Sequence, residues 1–385
     1  MYRKTYVEVN LDNINKNVSN IVNIFNGYDY YIAIVKGNAY GHGEYISKYI
    51  IQNGINYLAV SSLEEAINVR KYVNKEFPIL CLEPISLDYI DDIIKYNVTI
   101  SVCNLDYYKK LVKLNLNYLV KFHLKLNTGM NRLGISSLED VKYIYNDKRD
   151  DNLLFEGIFM HFATTGEKDD LFYKQIDNFK YLTSEIDLSK IKIVHVGKSA
   201  TLDCFPKLDF CNGVRIGIMM YGVSSFRDDN IMIEKKNNSL IPYDNIKIKP
   251  IPSLSLKSEV VDVHKINCGD SVGYGDNNIV NKDGYIAVLP IGYADGLQLR
   301  YNDWYVTIND RKYPVVGTVM MGMITVFVDK YVKVGDMATL FSYNDDFNEL
   351  AQKFDTSPYV VMTNLHRDLP RVYISNNEVV EIIEI

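Results

Sequence analysis

The run Ile32-Ala-Ile-Val35 ends at a lone Lys36, and a glycine-rich loop follows it, Gly37-Asn-Ala-Tyr40-Gly41-His42-Gly43. A lysine at the end of a buried strand either snorkels to water or is held there for chemistry. The glycines favour the second reading, because they let a loop bend sharply and let backbone approach a ligand. Burial would lower the pKa of the Lys36 amine, as attack on a carbonyl requires. Further along, other apolar runs end in polar groups: Lys125 with Arg132 just beyond, His161, Lys198-Ser199, and Arg215-Ile-Gly217-Ile218. Polar and charged side chains gathered at strand ends mark the rim of a site.

Elements must exist to gather them. Eight β-type runs start from Tyr30: Tyr30–Val35, Tyr57–Val60, Pro78–Leu82, Val98–Val102, Tyr118–Leu126, Leu154–Phe162, Ile191–Val196 and Phe210–Met219. Helical segments alternate with them, at Glu44–Gln52, Leu63–Val73, Leu87–Tyr96, Leu105–Leu114, Leu138–Tyr145, Asp170–Ile186 and near Ala200. The spacing predicts a TIM-like (β/α)8 barrel over residues 10–235, with its site at the C-terminal ends of the strands. No G-x-G-x-x-G follows any strand, which disfavours a doubly wound dinucleotide fold. Asp229–Asp244 turns polar and reads as a linker.

Beyond the linker the pattern is mostly β: Ser253–His264, Tyr285–Val288, Tyr305–Ile308, Tyr313–Val319, Ile324–Val328, Ala338–Phe341 and Arg371–Ile374, with one helix near Asp346–Phe354. We therefore expect a second, β domain made of residues 1–9 plus 236–385. Its share of the N-terminus would be the short strand Tyr6–Asn10, unless that strand pairs with the barrel instead. A helix over Leu11–Phe25 follows from apolar residues at 11, 14, 18, 21, 22 and 25.

Composition narrows the class. The 385 residues are 47% hydrophobic and 23% charged, as in soluble enzymes. A net charge of -6 speaks against a nucleic-acid partner. The N-terminus lacks the apolar core of a signal peptide, and the longest apolar run, Val315–Val328, is too short and interrupted to span a membrane. Five cysteines without a C-x-x-C pair fit reduced thiols and no metal site. The expectation is a cytoplasmic protein. With 31 tyrosines, a single Tyr carries little information.

The motifs together are more specific than any one of them. Lys36-Gly-Asn-Ala-Tyr-Gly-His-Gly43 resembles the pyridoxal-phosphate (PLP) lysine motif of bacterial alanine racemases. The likeness continues through His123-Leu-Lys125-Leu-Asn-Thr-Gly-Met-Asn-Arg132-Leu-Gly134, Gly157-Ile-Phe-Met-His161-Phe-Ala163, Val214-Arg215-Ile-Gly217-Ile218-Met-Met-Tyr221-Gly222, Ser271-Val-Gly-Tyr274-Gly275 and Pro290-Ile-Gly-Tyr293-Ala-Asp-Gly296. The resemblance implies that Lys36 holds PLP and is one catalytic base. It implies that Tyr274 is the other, supplied by the partner subunit of a homodimer. Tyr40, Ser199, Gly217 and Ile218 would bind the phosphate. Arg215 would face the pyridine nitrogen with His161 beside it, and Arg132 would meet the phenolic oxygen. Lys125 is the position that the family often carbamylates to orient that arginine. Tyr293 and the backbone near Met321 would line the substrate side. Outside these motifs, His161 alone would read as a core histidine, Tyr274 as a turn aromatic, and Tyr293 as packing. His195, Cys204 and Cys211 read as structural.

The departures from the family cluster at the substrate entrance. Thr165-Gly166 leaves no carboxylate after His161-Phe-Ala-Thr164, Thr318 stands where an arginine is usual, and Met321-Gly322 replaces Met-Asp. The arginine expected after Tyr293-Ala-Asp-Gly296 has an uncertain register, at Leu299 or Arg300. Lys198 replaces an asparagine, and Arg367 falls where a tyrosine or small polar residue is expected by the site. The activity implied is a two-base interconversion of L- and D-alanine that supplies D-alanine for peptidoglycan. The departures raise serine or another polar or acidic amino acid as an alternative substrate. A PLP-dependent decarboxylase on the same architecture and a non-catalytic PLP-binding protein are rival readings. Against the decarboxylase, no Gly-Gly-Gly phosphate loop is found.

Overall fold

In the computed structural model, which describes residues 1–114, 116–164, 170–224, 248–275, 278–345 and 347–384, strand β1 (Thr5–Asn10) runs straight into a helix, Leu11–Ile24. Asn10 caps that helix, its side-chain oxygen accepting from the Asn13 N–H at 3.0 Å. One helix face buries Leu11, Ile14, Val18 and Ile21, each worth roughly 1.5–3 kcal/mol. The side chains of Asp203 and Cys204, the expected linker at 229–244, and Thr165-Gly166 lie outside the described residues.

Eight strands follow: β2 (Tyr30–Ile34), β3 (Tyr57–Val60), β4 (Ile79–Cys81), β5 (Val98–Val102), β6 (Val120–Lys125), β7 (Leu153–Phe159), β8 (Ile193–Gly197) and β9 (Gly213–Ile216). Each pairs in parallel with the next, and β9 closes on β2. Parallel strands covered on both faces should read as continuous apolar runs. β3 does so, and β5, which carries Thr99 and Ser101, is buried throughout as well. This is the expected barrel.

The second domain is one ten-stranded sheet built on β10 (Leu254–Glu259), β11 (Asp262–Ile266), β12 (Gly284–Leu289), β13 (Tyr305–Ile308), β14 (Arg311–Val316), β15 (Ile324–Val328), β16 (Met337–Phe341), β17 (Arg371–Ser375) and β18 (Glu378–Ile383). Its order is β11-β12-β15-β14-β13-β16-β10-β1-β17-β18. β1 is antiparallel to β10 and parallel to β17, so it belongs to this sheet and not to the barrel.

Three sequence expectations need correction. Ser253–His264 is not one strand but two. The backbone changes partners at Val260, whose N–H donates to Asp336 O, while the Val261 N–H donates to Val288 O on another strand. The run Tyr313–Val319 ends at Val316, because Gly317 turns with φ +76°. Glu44–Gln52 is not one α-helix: an α-turn at Ser47–Ile50 stands between 3₁₀ turns at Glu44–Ile46 and Ile51–Asn53. The short helix Pro358–Thr363, unforeseen from the sequence, brings Tyr359 and Thr363 to the site. Among the described residues no helix is long and apolar enough to cross a membrane.

Candidate active site

The loop after β2 winds the wrong way. Gly37, Asn38, Ala39 and Tyr40 have φ of 62°, 53°, 50° and 53°, a left-handed turn. Each of the three non-glycine residues costs about 1–2 kcal/mol there, so the turn stores roughly 3–6 kcal/mol. Neighbours hold it in place. Glu65 accepts from the Gly37 and Ser61 N–H groups, both at 2.7 Å. Arg371 of β17 donates to the Gly41 carbonyl at 3.2 Å, and the Tyr373 hydroxyl donates to the His42 carbonyl at 3.0 Å. A Cβ on Gly41 would stand 2.1 Å from Met362 O, and one on Gly43 would stand 2.0 Å from the Tyr373 hydroxyl. The second domain thus clamps a strained barrel loop, and both ends of that loop, Lys36 and Tyr40, line one cavity.

That cavity, about 930 Å³, lies at the C-terminal ends of the barrel strands. It gathers Lys36, Tyr40, Lys125, Arg132, His161, Ser199, Arg215, Gly217 and Ile218. Tyr40 is buried and stacks on Tyr221, with ring centroids 4.6 Å apart. Burial pushes its phenol up, so it stays protonated and can donate. Ser199 Oγ accepts from the Gly217 N–H at 2.9 Å. A Cβ on Gly217 would lie 3.1 Å from the Tyr40 hydroxyl, so glycine keeps a cradle open between Tyr40 and Ser199.

Arg215 is fully enclosed. Its Nη1 donates to His195 Nδ1 (2.8 Å) and to the His195 carbonyl (2.7 Å). Its Nη2 donates to the Met160 carbonyl (2.7 Å) and lies 3.3 Å from His161 Nδ1. Its Nε–H has no acceptor among the described residues and is left for a ligand. Burial lowers its pKa to about 10, so it remains a cation. His161 is pushed far down by burial and then by Arg215, and is neutral. Burial, with Arg132 and Arg215 adding to it, lowers Lys125 to about 8. No hydrogen bond or ion pair reaches the Lys125 amine among the described residues. Lys198 donates to the Phe162 and Thr164 carbonyls at 3.1 and 2.6 Å, and burial lowers it to about 8.

Four expected site residues are not in this cavity. Tyr274, Tyr293 and Met321 are 76%, 45% and 64% exposed on the second domain. They share one surface: the Tyr293 N–H donates to Met320 O, and Gly273 lies against Thr318. Arg367, expected on the substrate side, is instead ion-paired with Glu44 at 2.6 Å. The structure shows the chain folding back there, with the Arg371 guanidinium binding the carbonyls of Leu365, His366, Arg367 and Leu369.

Among the lining residues that sequence reasoning missed are Glu65, Glu83, Tyr359 and Thr363. Glu65 carried a signal, the Ser62-x-x-Glu65 helix start, where Ser62 caps the Glu65 N–H. Tyr359 carried none, being one of 31 tyrosines.

Fold and site together define a two-domain barrel protein with an amine-bearing, cation-rich cavity closed by a loop that its β domain clamps. Models of the alanine racemase N-terminal and C-terminal domains match residues 9–225 and 253–373. Alanine racemase 1 of Clostridium acetobutylicum is 34% identical, over 99% of this chain and 98% of that protein. Alanine racemase 1 of Bacillus subtilis is 31% identical, over 99% and 96%. The crystal structure of alanine racemase from Bacillus anthracis with bound L-Ala-P superposes with a TM-score of 0.87 at 30% identity, covering 100% of this chain and 98% of that one. The chain belongs to the alanine racemase family.

Proposed function

We propose that this protein interconverts L- and D-alanine with PLP, using Lys36 and the Tyr274 of a second copy as its two bases. Alanine racemases are PLP-dependent. The residues present fit that group: the open cradle at Gly217 suits a phosphate, and the unpaired Arg215 Nε–H suits a ring nitrogen. Lys36 would hold the cofactor. Tyr40, Ser199, Gly217 and Ile218 would bind its phosphate, Arg215 would meet its pyridine nitrogen and Arg132 its phenolic oxygen. When bound, PLP supplies the electron sink that makes the substrate's Cα proton removable.

The chain's own groups do the rest. Arg215 keeps its proton, so it would donate to the ring nitrogen without protonating it, which would moderate the sink. Lys36 Nζ and Tyr274 Oη exchange the Cα proton from opposite faces, which is what inverting a stereocentre requires. Tyr274, Tyr293 and Met321 stand exposed together on one surface, which supports a homodimer in which that surface completes the partner's cavity. Carbamylation of Lys125 would turn one of several neighbouring cations into an anion facing Arg132. A pKa near 8 leaves part of that amine neutral and reactive toward CO2. Labelled bicarbonate should then give a carbamate signal in 13C NMR that Lys125→Met abolishes; no signal in the wild-type protein would rule this out. A cytoplasmic enzyme supplying D-alanine for peptidoglycan is the setting that fits this activity.

One observation carries the proposal: a strand-end lysine, a cradle that Gly217 keeps open beside Tyr40 and Ser199, and a free arginine N–H meet in one cavity. Loss of optical rotation from single enantiomers, measured over a panel of amino acids, tests it. We expect alanine to turn over fastest. In Lys36→Ala the visible band of the bound cofactor should vanish and racemisation should fall by about 10⁴-fold or more. A bound cofactor with no racemisation of any amino acid would defeat the proposal. The ion pair of Arg367 with Glu44 speaks against an acidic substrate.

A further inference from the structure

Barrel interiors are usually filled by Val, Ile and Leu. This one carries a buried polar row beneath the cavity: Arg215, His195, His123 and Glu156, with Tyr57 and Thr99 beside the last. Two of its three links are short hydrogen bonds and the third is a longer contact. Arg215 Nη1 lies 2.8 Å from His195 Nδ1, and His195 Nε2 lies 2.8 Å from His123 Nδ1. His123 Nε2 faces Glu156 Oε2 at 3.5 Å, a long contact, and finds no closer acceptor among the described residues.

The backbone is built around the two rings. Phe122 pairs with Phe155 but His123 pairs with Gly157, so Glu156 is the extra residue of a bulge. His195 pairs with Gly213 and Gly197 with Val214, which leaves Val196 extra in a second bulge. Bulges re-aim side chains and are uncommon between parallel strands. A glycine stands opposite each histidine. A Cβ on Gly157 would lie 2.6 Å from the His123 ring, and one on Gly213 would lie 3.0 Å from His195 Cβ.

We propose that Glu156 is a positioning residue: it fixes the direction of a hydrogen-bond chain through His123 and His195 that holds the Arg215 guanidinium at the cavity. A carboxylate can only accept and an arginine can only donate, so both ends of the chain demand the same direction. His195 Nδ1 must therefore accept, which puts the ring proton on Nε2. That proton points at His123 Nδ1, which accepts in turn, and the His123 proton on Nε2 points at the Glu156 carboxylate. Burial lowers both histidine pKa values, so each ring is neutral and carries one proton. Against the effect of burial, His123, then Lys121 at 3.6 Å from Oε1 and the Tyr57 hydroxyl at 2.8 Å from Oε2, hold the Glu156 carboxyl well below the usual carboxylate range, so it is ionised; Lys192 lies 3.1 Å from Oε1.

This inference rests on the proposed function only for what Arg215 touches. The isosteric Glu156→Gln isolates the effect. Lys192 and Lys121 would draw the amide oxygen to their side, so the NH2 would face His123. Tyr57 tolerates this by donating to Thr99 Oγ1, 2.7 Å away. Both rings would then flip tautomer, and His195 Nδ1–H would confront an Arg215 N–H.

The test is 15N NMR of histidine-labelled holoenzyme, read with kcat, KM and the visible band of the bound cofactor. In the wild-type protein both rings should carry the proton on Nε2. In Glu156→Gln both should carry it on Nδ1, the cofactor band should shift, and kcat should fall about tenfold with KM nearly unchanged, the effect of one misdirected buried hydrogen bond. A proton on Nδ1 of either ring in the wild-type protein would overturn the proposal, and that measurement needs no variant to fold. So would a folded Glu156→Gln with unchanged tautomers, or with flipped tautomers and unchanged kcat. A holoenzyme that racemises nothing would defeat the proposed function, while the tautomers and the cofactor band could still be read.

Discussion

The barrel cavity and the exposed face of the β domain carry the two halves of one proposed reaction, and they are built in opposite ways. At the cavity, Arg215 is enclosed by the acceptor groups it bonds, and the Lys36–Gly43 loop is held in a left-handed turn by Glu65, Arg371 and Tyr373. At the other face, Tyr274 stands 76% exposed between two glycines with positive φ, Gly273 and Gly275. A cavity that must orient an anion is preorganised within one chain. A base that must approach from the opposite side of a planar group needs a second surface, and the exposed face offers one.

Mixing subunits tests that contrast most severely. Tyr274→Phe alone should cost about 10³-fold in kcat while the cofactor stays bound. If Tyr274 acts across subunits, mixing inactive Lys36→Ala with Tyr274→Phe chains restores one intact site per heterodimer, about a quarter of full activity at random assortment. No recovery in verified heterodimers would place both bases in one chain.

A smaller effect should come from the clamp. Gly41→Ala puts a Cβ 2.1 Å from Met362 O in a backbone with φ +81°. We expect a loss of about 2–4 kcal/mol in chemical denaturation, with activity falling as Tyr40 is displaced. Wild-type stability in that variant would show that the second domain does not enforce the loop.

The smallest should come from the Arg367–Glu44 pair. Its arginine is over a third exposed, so Arg367→Ala should cost no more than about 1 kcal/mol and leave the order of substrates unchanged. A changed preference in the amino-acid panel would return Arg367 to the substrate side.

Much of this was legible in the sequence. Short apolar runs marked the eight barrel strands, because burial on both faces of a parallel sheet leaves that signature, and a period of 3.6 marked the helix at Leu11–Ile24. Motif spacing marked Lys36, Tyr40, Arg132, Ser199 and Arg215, because strand ends of a barrel converge on one rim and local glycines fix the loops there. Arg367, by contrast, reads from the sequence as a site residue and stands outside the cavity, paired with Glu44.

The sequence alone determined the two domains, the lysine and the company of cations it keeps, since these follow from periodicity and from short motifs whose geometry is local. The tertiary structure decided the rest. It put β1 in the far sheet and brought Tyr359 and Thr363 to the cavity from more than 300 residues beyond Lys36. It also joined His123, His195 and Glu156, which read as separate residues of separate strands, into one row beneath Arg215. Those contacts depend on strand register, two bulges and the absence of side chains at Gly157 and Gly213, and such features are set by packing between segments that are distant in the chain.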